Sequence, residues 1–368
     1  MRYLYYCNSA YQLLNILNLH YHRKNKRFEK IDNYDGDLLM LNTFDYAKEI
    51  YEIIKKEKIF SEIRLIEKAF NKGSFHSILT IMDLFSPSFY MKNKYGIRKD
   101  EVYNRYDYIV TPKYSTVVDQ IWRLNRKAKL QLIEDGIGSY SLTMALTPSS
   151  KIYQFYYGIM GVNSFSDYSA LYLVKKDLYI GKNADRVRQT PAFTEEYTAK
   201  LRNLFADFIN KDNLNSRIYW LSQFFNNRHF NEVILDGVLK KLLPYKDDVL
   251  FVQHPRKHLD NKYEFKEAAG KQIWELQVLN MEDIENRLFI SAHSTACFTA
   301  KMLFDKEPYV ILFYRMADSY VTWVTDEFEQ IVENFRKSYH DPQKVMIPET
   351  IEELEKCLQI YAEKNRFK

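Results

Sequence analysis

A repeated alternation of short apolar runs with longer amphipathic stretches constrains this chain more than any other feature. In the first third, β-like runs at Tyr3 to Cys7, Asp37 to Leu41, Glu62 to Ile66, Tyr106 to Val110 and Lys129 to Ile133 are separated by helix-like stretches. Those stretches are Tyr11 to Tyr21, Tyr46 to Ile54, Phe75 to Tyr95 with a break at Pro87, and Val117 to Arg126. Strands interleaved with helices at this spacing give right-handed βαβ units on a parallel sheet. Between Thr143 and Asn215 the rhythm weakens and is read as a connector with insertions. It resumes with helix Glu232 to Leu243, strand Val249 to Gln253, helix Lys262 to Gly270, strand Leu288 to Ile290, helix Ala296 to Phe304, strand Tyr309 to Phe313 and helix Glu352 to Asn365.

A chain of 368 residues exceeds what one hydrophobic core organises, so two domains are expected. The predicted division is 1–165 as an N-terminal Rossmann-like domain, 166–347 as a second, and 348–368 as a C-terminal helix. The fold class is α/β, two Rossmann-like domains of the GT-B type with an interdomain cleft. Hydrophobic residues at 46% and charged residues at 27% exclude a disordered chain. The net charge of +5 is spread along the sequence and suits an anionic small substrate. No zinc-finger spacing or RNP-type aromatic motif accompanies it, so no nucleic-acid partner is expected. Cys7, Cys297 and Cys357 are widely spaced and odd in number, which excludes a disulfide framework and points to a reducing cytoplasm. No apolar run long enough to span a bilayer occurs, although an apolar stripe in Phe75 to Tyr95 leaves room for peripheral membrane contact.

Ligands of open parallel sheets bind outside the carboxyl ends of the strands, so polar residues directly after a strand are the candidates. Three segments qualify. The first is Glu134-Asp135-Gly136-Ile137-Gly138-Ser139-Tyr140, where two carboxylates end a strand. A carboxylate there can take the proton from a sugar hydroxyl, and the glycines permit a tight turn against a ligand. The alternative is a plain Asp-Gly turn. The second is Gln253-His254-Pro255-Arg256-Lys257-His258, in which an imidazole can protonate a departing phosphate and the cations Arg256 and Lys257 offset its charge. The alternative there is a solvated basic loop. The third is Ser291-Ala292-His293-Ser294-Thr295, where hydroxyls precede a helix start that would bind phosphate or merely be capped. Asp35-Gly36-Asp37 resembles an Asp-x-Asp metal motif but precedes its strand, and is read as a turn. No zinc spacing, P-loop or complete dinucleotide fingerprint appears, so neither metal nor cofactor is expected.

The order acid-acid-Gly, His-Pro, Ser-Thr resembles the bacterial sialyltransferases, which share an Asp/Glu-Asp/Glu-Gly, a His-Pro and a Ser-Ser/Thr motif. The chain is most similar to glycosyltransferase family 52, which sialylates lipooligosaccharide and capsule. Cys7-Asn8-Ser9-Ala10-Tyr11-Gln12-Leu13-Leu14 is similar to that family's strand-loop-helix start, with Ser9-Ala10 where relatives often have Thr-Pro; Leu221-Ser222-Gln223 matches a segment before His-Pro. The resemblance implies a metal-independent, inverting transferase that moves sialic acid from CMP-sialic acid to a galactose-terminated glycan. It maps Glu134 to the base, with Asp135, Glu232 and Asp236 as alternatives, and His254 to the phosphate-assisting group. Donor contacts would fall on Asn8, Ser9, Gly136, Gly138, Gln223, Pro255, Arg256, Lys257, Ser291, Ser294 and Thr295, and acceptor contacts on Gln12 and Tyr140. Relatives can be homodimers. A UDP-hexose transferase of the same fold and a non-catalytic nucleotide-sugar or glycan-binding protein are the competing expectations.

Overall fold

The computed structural model describes residues 1–67, 86–141, 167–223, 232–254, 259–317 and 325–365. The chain divides into two compact units, Met1–Pro191 and Ala192–Lys368.

The first unit contains strands β1 (Arg2–Cys7), β2 (Asp35–Asn42), β3 (Ile63–Glu67), β4 (Tyr108–Thr111), β5 (Lys129–Ile133), β6 (Ala170–Leu173) and β7 (Val187–Gln189). Its helices are α1 (Ala10–Lys24), α2 (Ala47–Lys56), α3 (Pro87–Tyr95), the single turn α4 (Lys99–Val102) and α5 (Thr116–Leu124). Every strand pair is parallel and the order is β3-β2-β1-β4-β5-β6-β7. The central strands are buried on both faces, and β1 is accordingly an almost unbroken apolar run after Arg2. Ser9 stops β1 and caps α1, its Oγ accepting from Gln12 N at 3.3 Å. Pro87 opens α3, where its missing N–H costs nothing; the rest of the helix expected from Phe75 lies largely outside the described residues.

The second unit holds β8 (Ile218–Leu221), β9 (Val249–Val252), β10 (Lys266–Glu267), β11 (Leu288–Ser291), β12 (Tyr309–Leu312) and β13 (Val345–Met346). Its helices are α6 (Glu195–Leu204), α7 (Glu232–Leu242), α8 (Trp274–Asn280), α9 (Thr299–Phe304), α10 (Asp326–Lys337) and α11 (Ile351–Lys364). All pairs are again parallel, in the order β10-β9-β8-β11-β12-β13. Its core is aromatic: the Trp220 ring stacks on Phe251 at 5.6 Å and on Phe313 at 5.4 Å, joining β8 to the segments after and beside it. Helix α11 is capped by Thr350, and its buried Tyr361 donates to the carbonyls of Arg217 at 3.0 Å and Asn286 at 2.9 Å.

Four expectations change. The division falls after Pro191 rather than at 165, because β6 and β7 extend the first sheet, and α11 packs within the second unit. The helix expected over Lys262 to Gly270 is absent; Tyr263 and Phe265 alternate toward the core at period two, and the segment ends in β10. The helix expected from Ala296 is a capped 3-10 turn, Thr295–Cys297, followed by α9. Asp35-Gly36-Asp37 is the start of β2, not a turn, and Asp37 is buried against Arg2 at 2.9 Å. It lies at the amino edge, as its place before the apolar run required.

Candidate functional site

Both sheets reverse their strand order once, at β1/β4 in the first unit and at β8/β11 in the second. At such a point the two neighbouring crossovers leave to opposite sides and open a crevice at the carboxyl edge. The sequence candidates collect at these two places.

In the first unit, Asn8 and Ser9 follow β1, and Glu134 and Asp135 follow β5 one strand beyond the reversal. The two acids differ sharply. Glu134 is fully buried. Tyr11 donates its hydroxyl to Oε1 through a short hydrogen bond, while Tyr140 Oη at 2.7 Å and Val174 N at 2.8 Å donate to Oε2. Burial pushes its carboxyl above the ordinary range, against the three donors that favour the carboxylate. Both oxygens are engaged and neither reaches solvent. Asp135 is partly exposed, 24% for its side chain, and is gripped from two sides: Gln12 Nε2 donates to Oδ1 and Lys113 Nζ lies 2.7 Å from Oδ2. Its own N–H donates to Ser139 Oγ at 2.8 Å. Of the two acids, Asp135 is therefore the one whose carboxylate can meet a substrate hydroxyl, and Glu134 is the buried peg beneath it.

Gly136 sets that division. Its φ of 111° and ψ of −163° are closed to residues with a side chain, and they swing the chain from β5 into the 3-10 turn Ile137–Tyr140. Gly138 is exposed, and a Cβ there would meet only open space. Two residues expected to touch an acceptor have other tasks. Gln12 is buried, and its amide joins Asp135 to the Asn8 N–H, which donates to Oε1 at 2.7 Å. Tyr140 is buried beneath the turn, where its hydroxyl serves Glu134 and accepts from Lys175 N at 3.2 Å.

In the second unit, Gln223 follows β8 and its Oε1 accepts from His293 N at 3.1 Å, closing the loop after β11. Ser294 Oγ accepts from Ala296 N at 3.3 Å, so it caps the 3-10 turn while remaining half-exposed with Thr295. Ser291 is withdrawn from the surface; its hydroxyl donates to the Leu221 carbonyl at 2.8 Å and staples β11 to β8. His254 is half-exposed two residues beyond β9, next to β8 in the sheet. Pro255, Arg256 and Lys257 lie outside the described residues, as does the side chain of Glu232. Asp236 is held well below the usual carboxylate range by Lys262, Tyr263 and Lys240, which makes it a poor proton acceptor.

Two residues to which the motifs assign no role also shape these edges. Lys113 follows β4 at the reversal, in a Thr-Pro-Lys segment with no motif; only the strand order singles it out. Gln253 pins the His254 loop at its base, donating to the Leu259 carbonyl at 3.0 Å and accepting from Leu259 N at 3.0 Å. Among the described residues no group of three His, Cys, Asp or Glu side chains is placed to hold a metal ion, and no helix is long and apolar enough to cross a membrane.

Two parallel sheets with this strand order, each reversed once, define the GT-B class of folds. Solved structures of that class match nearly the whole chain. A Listeria monocytogenes protein assigned as a UDP-N-acetylglucosamine 2-epimerase has a TM-score of 0.52 at 11% identity, covering 98% of this chain and 88% of its own. The glycotransferase of kitacinnamycin gives 0.52 at 10%, covering 98% and 90%, and the S. aureus MnaA–UDP co-structure gives 0.50 at 9%, covering 99% and 88%. At these identities the likeness is one of fold. No protein-family profile and no curated protein matches the sequence.

Proposed function

We propose that this chain is an inverting nucleotide-sugar glycosyltransferase that moves sialic acid from CMP-sialic acid to a galactose-terminated glycan. The observation that carries the transferase reading is Asp135, a solvent-reaching carboxylate held on both oxygens at the carboxyl edge of a reversed parallel sheet. A sugar hydroxyl is a weak nucleophile near neutral pH, and a fixed carboxylate that removes its proton during attack contributes about 10²–10⁴ in rate. Asp135 takes that proton as the acceptor oxygen bonds to the anomeric carbon. The bond from that carbon to the CMP phosphate breaks in the same displacement, through an oxocarbenium-like state. His254 gives or shares a proton with the departing phosphate, and the half-exposed Ser294 and Thr295 hydroxyls bind its oxygens. Gln223 positions the loop that presents them. Glu134 acts through Asp135 and the backbone, as a positioning residue.

The choice of CMP-sialic acid rests on the acid-acid-Gly, His-Pro and Ser-Thr order. The UDP ligand named for the MnaA structure favours a second reading, a UDP-hexose donor on the same residues. Incubating the protein with lactose and either CMP-sialic acid or a panel of UDP-sugars separates them. Sialyllactose with stoichiometric CMP release is the expected result; turnover of a UDP-sugar alone moves the assignment to the second reading. No turnover of any sugar nucleotide, with Asp135→Asn binding CMP as wild type does, would leave a binding protein.

A further inference from the structure

The amino edge of the first sheet carries a surface that this chemistry does not use. In a parallel sheet the helices run back against the strands, so α1 and α2 both end at this edge. Lys24 Nζ donates to the Ile59 carbonyl at 3.0 Å and ties the two helix ends together. Lys24, Lys55 and Lys58 are exposed and line one open groove of about 620 Å³ with Phe60, Ser61, Glu62 and Arg64. The ion pairs of this region run Arg23–Glu29, Arg64–Glu101, and Arg2 and Arg105 with Glu62; they engage the carboxylate of the groove and leave its three lysines out, while Glu57 stands exposed between Lys56 and Lys58. Exposed Lys26, Arg27 and Lys30 continue the positive face.

A helix C-terminus favours a cation in its last turn, which accounts for Lys24 and Lys55. It does not account for Lys58, Lys26 or Lys30, which lie beyond the helices. Lys26 and Lys58 even occupy left-handed backbone, at φ 55° and 49°, where glycine or asparagine is the inexpensive choice.

We propose that this edge docks on a membrane surface containing anionic phospholipid. Lysine is a hydrated point charge on a flexible stem and demands no fixed geometry from its partner. Spread over two helix ends and the segment after α1, these charges match a plane of phosphates better than one small anion. Each lysine near an anionic bilayer strengthens attachment about fivefold. Docking here leaves the opposite, carboxyl edge, about 20 Å away along the six-residue β1, turned from the lipid. The inference does not depend on the sugar chemistry.

Sedimentation of the full chain with phosphatidylcholine vesicles, plain or one-third phosphatidylglycerol, tests it. Three proteins are compared: wild type, a groove variant with Lys24→Gln, Lys55→Gln and Lys58→Gln, and a control with Lys211→Gln, Lys337→Gln and Lys356→Gln in the second unit. Wild type and control should bind the anionic vesicles alike, and neither should bind plain ones. The groove variant should bind about a hundredfold more weakly, while its melting temperature falls by only a few degrees. Equal loss in both variants would mean net charge alone is responsible, and binding to plain vesicles would remove the electrostatic basis. Release by inorganic phosphate beyond that by chloride at matched ionic strength would reassign the groove to a small phosphate ligand.

Discussion

The two carboxyl edges share a strand order and differ in chemistry. At the carboxyl edge of the first sheet a charged pair joins the half-exposed Asn8 and Ser9: Asp135 and Lys113 lie 2.7 Å apart, and Glu134 is buried. At that of the second the half-exposed groups are hydroxyls, an amide and an imidazole, from Ser294, Thr295, Gln223 and His254. One topology thus carries a site suited to moving a proton and another suited to binding phosphate. The scaffold dictates only where the polar residues emerge; the residue after each strand decides the chemistry.

That contrast can be broken by removing each feature in turn. Glu134→Ala leaves two tyrosine hydroxyls and a backbone N–H buried without an acceptor, and should cost about 3 kcal/mol of stability in a denaturant melt. Asp135→Asn should leave the melt unchanged but lower kcat by about 10², equivalent to about 2.7 kcal/mol of activation free energy. If the two variants exchanged behaviour, the buried acid would be the base. In the second unit, Ser294→Ala should cost about 1 kcal/mol through the lost cap, and should raise the donor KM more than it lowers kcat. The smallest contrast is a slope. Because burial raises the folded-state carboxyl of Glu134 above its ordinary 4.5, the native protein holds a proton the unfolded chain has released. Wild type should therefore lose stability as pH rises from about 4 toward the folded-state value, relative to Glu134→Gln, which has no proton to release. Parallel melting curves for the two proteins across that range would contradict a raised carboxyl.

Legibility followed the period of the apolar pattern. Strand β5 is legible to the residue, since Leu130, Leu132 and Ile133 form a short apolar stretch between a polar loop and the acids. Strands β6 and β7 were lost inside a segment rich in turn residues, and β8 went unread although its end, Leu221-Ser222-Gln223, was singled out. The expected helix over Lys262 to Gly270 failed because period-two contacts, with Phe265 stacked on Phe251 at 5.9 Å, outweighed the local helical propensity. At the carboxyl edges, the rule of polar residues after strands pointed to Asp135, His254 and Ser294, and the family resemblance to Gln223; all four are half-exposed there. Neither showed that Glu134, Gln12, Tyr140 and Ser291 face inward, because the side to which a residue turns after a strand depends on the backbone of the turn. Lys113 stayed hidden because strand order is a tertiary fact.

Gly136 carries a stereochemical consequence. Its backbone lies where an L-residue is strained, and the mirror image of that conformation is ordinary extended chain. Handedness is what the backbone at this position selects. A semisynthetic protein with D-alanine at 136 should keep the bend that separates the two acids, whereas ribosomal L-alanine should pull Asp135 out of reach of Gln12 and Lys113.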